Sequence, residues 1–147
     1  MADNASGGTT SVVSVLDSTL ESVDAAEKLV LQAATEMGFD EDKQYQIGLA
    51  VRESVVNAVV HGNCYNDLKK VRLSVSKAED RLVVLVADEG EGFDVSDVPD
   101  PLSPDQLMNR SGRGILLIRS FVDEFEIRPR APSGTEFKLV KYLKADK

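Results

Sequence analysis

Residues 53–63 read ESVVNAVVHGN, an apolar run interrupted by Glu53, Asn57 and His61 at four-residue intervals. On a helix, side chains four apart lie about 40° apart around the axis, so the three form one polar stripe. The other faces carry residues such as Ile47, Val51, Val55 and Val59, the pattern of a buried helix. A buried carboxylate without a partner is costly or changes its protonation state. Two readings fit this spacing. In one, Arg52 or a lysine neutralises Glu53, and Asn57 bonds to backbone. In the other, the stripe faces a cavity. Asn57 then offers a neutral carbonyl oxygen to Mg²⁺, which takes few protein ligands, and Glu53 accepts a proton from a hydroxyl or water. His61, beside Gly62 at the helix end, reads as structural.

Two glycine-rich stretches follow. ADEGEGFD places Asp88 at the end of an apolar strand, and Gly90 and Gly92 allow backbone to approach a ligand closely. Standing alone, it is equally an acidic turn. It is no EF-hand, because the sixth and twelfth positions from Asp88 are Phe93 and Pro99. A dinucleotide fingerprint needs a third glycine where Val95 stands, and no G-K-[ST] follows a glycine loop. NRSGRG opens a helix: Gly112 and Gly114 free the backbone, and Arg110 and Arg113 add positive charge. A helix start with its unpaired N–H groups suits an anion. By itself this is also a plain helix entry with surface arginines.

Those residues must be positioned by a small set of elements. TSVVSVL (Thr10–Leu16) reads as a first strand at a sheet edge. STLESVDAAEKLVLQAATEMGF is helical, with Gly38 as its stop, and Asp40 caps a second helix running to about His61. KVRLSVSK and RLVVLVAD form a hairpin around Ala78–Asp80. A long loop rich in Gly and Pro comes next, of the kind that is functional or disordered in compact domains. A third helix runs from Gly114 to about Ser120, and a closing hairpin turns around Ala131–Ser133. The order predicts an α+β, two-layer α/β sandwich with a mixed, mostly antiparallel sheet and helices on one face.

The chain has 147 residues and a formal net charge of −8. Residues 1–9 read as a flexible tail, and residues 10–147 as a single domain. The acidic balance argues against general affinity for nucleic acid or an anionic membrane. No apolar run approaches the ~20 residues that span a bilayer. The N-terminus lacks the features of a secretory signal, and the single cysteine, Cys64, forms no internal disulfide, which points to the cytoplasm.

Taken in order, these segments resemble the histidine-kinase-like (GHKL) ATPases. Their helical E-x-x-x-N box is matched by Glu53 and Asn57. Their D-x-G-x-G box is matched by Asp88, Gly90 and Gly92, and the later G-x-G by Gly112 and Gly114. A terminal Gly-Thr is matched by Gly134 and Thr135. Within that class the stretches NAVVHGN, RSGRGILLIRSFVDE and GTEF look most like the bacterial anti-sigma factor serine/threonine protein kinases. The resemblance implies a Bergerat-type ATP-binding fold over about residues 10–142. It implies that Asp88 takes a hydrogen bond from the adenine amino group with Thr135 nearby, and that Asn57 holds Mg²⁺. Residues 89–113 would form the ATP lid, with the amides of Gly112–Gly114 on phosphate and Arg110 near the γ-phosphate. Glu53 would be the general base. The implied partners are a STAS-domain anti-sigma-factor antagonist, phosphorylated on Ser or Thr, and an RNA polymerase sigma factor, with the kinase a homodimer. Ser111 and Arg113 depart from the usual second glycine box. Alternatives are an ATP-binding module that sequesters its partner without kinase activity, and a partner-switching kinase in a pathway without a sigma factor.

Overall fold

A computed structural model describes residues 10–90 and 114–143 of the chain. Five strands and three helices run in the order β1 (Thr10–Leu16), α1 (Glu21–Met37), α2 (Glu41–Val56), β2 (Val71–Lys77), β3 (Arg81–Ala87), α3 (Gly114–Phe121), β4 (Glu124–Pro129) and β5 (Thr135–Tyr142). The strands form one sheet in the spatial order β1-β2-β3-β5-β4. Every pairing is antiparallel, which narrows the mixed sheet allowed by the sequence. The reason lies in β5. It folds back along β4 and slots between β4 and β3, so β3 and β4, which run parallel to each other, never touch.

Alternation along β2 and β3 sends Leu73, Val75, Leu82, Val84 and Val86 to one face. The helices cover that face. Val23, Ala26, Val30 and Ala34 recur at helical spacing on α1, Ile47, Ala50, Val51 and Val55 on α2, and Ile115 and Ile118 on α3, all within one core with Phe137 and Leu139. α1 packs its Glu27 and Leu31 side chains against Gly48 of α2. Gly38 ends α1 in the left-handed region, φ +93°, with its N–H on the Ala34 and Thr35 carbonyls. Asp40 caps α2, its Oδ1 accepting the Lys43 N–H at 2.8 Å.

One expectation about α2 needs correcting. The α-helix does not run to His61. It ends at Val56 and passes into a π-helical turn over Asn57–Gly62. The wider turn closes where the Asn63 N–H meets the Ala58 carbonyl at 2.7 Å.

Candidate functional site

The helical box sits at the junction of α2 and its π turn. Asn57 is 4% exposed. Its Nδ2 donates to the Glu53 carbonyl at 2.8 Å, so the backbone bond expected of a structural Asn is present. Its Oδ1 is buried and has no hydrogen-bond partner among the described residues. A buried acceptor left in that state costs ~1–3 kcal/mol. It is a hard, neutral oxygen of the type Mg²⁺ accepts, so the residue fits the metal.

Arg52 does not neutralise Glu53. Its Nη1 turns to α1 and pairs with Asp24 at 2.8 Å and Glu27 at 2.7 Å. Those hydrogen bonds, Asp24 first, hold the guanidinium proton more tightly than usual. The half-buried Glu53 carboxylate forms no ion pair among the described residues. His61 is exposed on the π turn.

Asp88, 4% exposed, lies just past β3. Its Oδ1 accepts the Gly90 N–H at 3.0 Å and the Thr135 N–H at 3.1 Å. Its own N–H donates to the Thr135 carbonyl at 2.9 Å. Two glycines crowd it, and a third crowds one of those. A Cβ on Gly62 would lie 2.2 Å from Asp88 Oδ2, one on Gly134 would lie 2.1 Å from the Asp88 carbonyl oxygen, and one on Gly90 would lie 1.9 Å from the Gly62 carbonyl oxygen. No side chain fits at those points, so the end of the π turn, the glycine loop and the β4–β5 hairpin meet as bare backbone. Thr135, 2% exposed, brings a second buried orphan, its Oγ1.

The structure thus gathers Asp88, Gly90 and Thr135 into one corner, with Glu53 and Asn57 on the helix that ends there. Gly114 is the first residue of α3. Gly92, Arg110, Gly112 and Arg113 lie outside the described residues. Three participants were not singled out from sequence. Gly62 reads only as a helix stop. Arg130, whose Nη1 donates to the Asp88 carbonyl at 2.8 Å, reads as a hairpin charge. Asn63, 1% exposed, stands in the sequence only as the last residue of the NAVVHGN stretch. The Gly-Asn pair marks a turn, but no spacing rule links residue 63 to residue 89.

A family model for the histidine kinase-like ATPase domain matches residues 16–141. The chain belongs to the histidine kinase-like ATPases. It is similar to a serine-protein kinase RsbW of Bacillus velezensis, at 35% identity over 78% of this chain and 74% of that one. It is 33% identical to the RsbW of Bacillus subtilis over 78% of this chain and 74% of the relative. It is 32% identical to the anti-sigma F factor of Bacillus subtilis, over 72% of this chain and 74% of that one. The crystal structure of the RsbU and RsbW domains of Rv1364c from Mycobacterium tuberculosis superposes with a TM-score of 0.65 at 19% identity. It covers 94% of this chain but 34% of that longer one. That likeness shows the shared fold. Membership fits the corner already described, in which buried oxygens on two different elements have no hydrogen-bond partner among the described residues.

Proposed function

We propose that this chain is an anti-sigma factor serine/threonine protein kinase, acting as one domain over residues 10–147. It binds Mg·ATP, phosphorylates a STAS-domain anti-sigma-factor antagonist on Ser or Thr, and sequesters a sigma factor. The observation that carries nucleotide binding is the pair of buried oxygens, Asn57 Oδ1 and Thr135 Oγ1, that have no hydrogen-bond partner among the described residues. Each belongs to a residue matched to an ATP-binding motif. The similarity to RsbW kinases and an anti-sigma F factor supports the rest.

The roles divide by chemistry. Asp88, with Oδ1 fixed by two amides, presents its carboxylate to the adenine amino group, and Thr135 flanks it. Asn57 would hold Mg²⁺, which supplies charge neutralisation on the phosphates. The Gly112–Gly114 amides, Arg110 and Arg113 would contact phosphate from the lid. Glu53 takes the proton from the attacking serine hydroxyl. Phosphoryl transfer depends chiefly on in-line positioning and electrostatic stabilisation, so few protein groups are needed. Among the described residues no helix is long and apolar enough to cross a membrane. A sigma factor as partner implies action in the cytoplasm, and the resemblance to the anti-sigma kinases implies a homodimer.

The test is a pull-down from the native cell with Mg·ATP, read by mass spectrometry. The expected result is a STAS protein carrying a new phosphoserine or phosphothreonine, together with a sigma factor. A sigma factor captured with no phosphotransfer overturns the kinase assignment. A phosphorylated STAS partner with no sigma factor overturns the anti-sigma assignment.

A further inference from the structure

We infer that Asn63 is a positioning residue for adenine recognition: it fixes the corner in which Asp88 meets the base without touching the nucleotide. This rests on the reading that Asp88 binds adenine. The observation behind it is how fully one buried amide is used. Asn63 Oδ1 accepts the Glu89 N–H at 2.8 Å, and Nδ2 donates to Ser18 Oγ at 2.9 Å and to the Lys70 carbonyl at 3.0 Å. Its backbone N–H closes the π turn on Ala58. One residue therefore ties four segments together: the helix turn that begins with Asn57, the β1–α1 connection, the start of β2 and the loop after β3.

The bond to Glu89 matters most, because Glu89 lies between Asp88 and Gly90. Its carboxylate also accepts the Lys70 N–H at 2.7 Å. With Glu89 held from both sides, Gly90 is pressed to the Gly62 carbonyl and Asp88 Oδ2 to the Gly62 α-carbon. The glycines themselves contribute no side chain to these contacts. Asn63, the next residue after Gly62, supplies the tie that keeps bare backbone in register. An amide is required because the site asks for one acceptor and two donors on a single planar group. Loss of the tie frees the Asp88 loop from the turn, and the amino group of the base loses its fixed acceptor.

A residue that only stabilised the turn would change all nucleotide binding alike. A positioning residue changes discrimination at the base. The test compares binding of Mg·ATP with that of purine riboside triphosphate, which lacks the exocyclic amino group. In Asn63→Ala, ATP affinity is expected to fall about 10-fold while the analogue changes less than about 2-fold, so the wild-type preference collapses. Equal losses for both ligands, or an unchanged preference, would overturn the inference. If Asn63→Ala does not fold, Ser18→Ala decides. It removes one of the two acceptors that orient the Asn63 amide, which loosens the Oδ1 bond to Glu89, and should lower the preference about 2- to 3-fold; an unchanged preference there overturns the inference. A wild-type protein that binds ATP and the analogue equally would instead overturn the Asp88–adenine reading itself.

Discussion

Asn57 spends its nitrogen on the Glu53 carbonyl and buries its oxygen with no protein partner among the described residues. That imbalance gives the site a measurable signature. Asn57→Leu removes an unsatisfied acceptor, which offsets the lost hydrogen bond to Glu53, so the melting temperature of the ligand-free protein should move by only a few degrees. The extra stabilisation by Mg·ATP should vanish. Calorimetry with and without Mg·ATP checks both halves, and a retained ligand shift would remove Asn57 from the metal role. Glu53→Gln keeps the shape and loses the base. ATP binding should persist while phosphotransfer falls ~10²–10⁴-fold, and undiminished transfer would sink the assignment. Gly62→Ala forces a methyl to 2.2 Å from Asp88 Oδ2 and should weaken ATP binding. At this scale Glu53, Asn57 and Asp88 are legible, because polar residues stand out in apolar surroundings. Gly62 and Asn63 are not, because what they contact lies 26 residues further along.

At the scale of elements, β5 carries a feature the pattern hides. Lys141 points inward with Phe137 and Leu139, is 9% exposed, and donates to Gln46 Oε1 at 2.7 Å and to the Phe121 carbonyl at 2.8 Å. It thereby joins β5, α2 and the last residue of α3. Burial lowers its pKa from the ordinary 10.5. The unfolded chain then binds that proton more tightly than the folded one, so this group adds stability as pH rises from the lowered value toward 10.5. Compared with Lys141→Met, the wild type should gain stability as pH rises toward 10.5. Denaturant melts of both proteins at several pH values measure the difference, and a constant gap would refute the prediction. The strands were readable from alternation, and the α1 stop and α2 cap from Gly38 and Asp40. The π turn was not. Val and Ala fill every side of NAVVHG, so an apolar run carries no mark of whether the turn holds 3.6 residues or more. Lys141 escapes for a related reason, since a lysine in a strand is ordinarily assigned to solvent.

For the molecule as a whole, the two sheet edges are built differently. β4 carries Glu124, Glu126, Arg128 and Pro129, the guards that discourage edge pairing. β1 has no charged residue, and Val12, Val13 and Val15 are about half exposed or more, at 57, 49 and 63%. Self-association should therefore run through β1. Val13→Lys should lower the weight-average mass in light scattering without changing ATP affinity, and an unchanged mass would clear that edge. The layout of β3, α3, β4 and β5 has a further consequence, for the time at which the site comes into being. β5 leaves the ribosome after β3 and β4, yet it belongs between them. Until it inserts, Leu82–Ala87 presents an unpaired apolar edge, and Asp88 lacks the Thr135 amide. A nascent chain stalled before Thr135 holds both halves of the sheet and no nucleotide corner. Such a chain is exposed to aggregation, and capacity to bind ATP arrives with the β4–β5 hairpin.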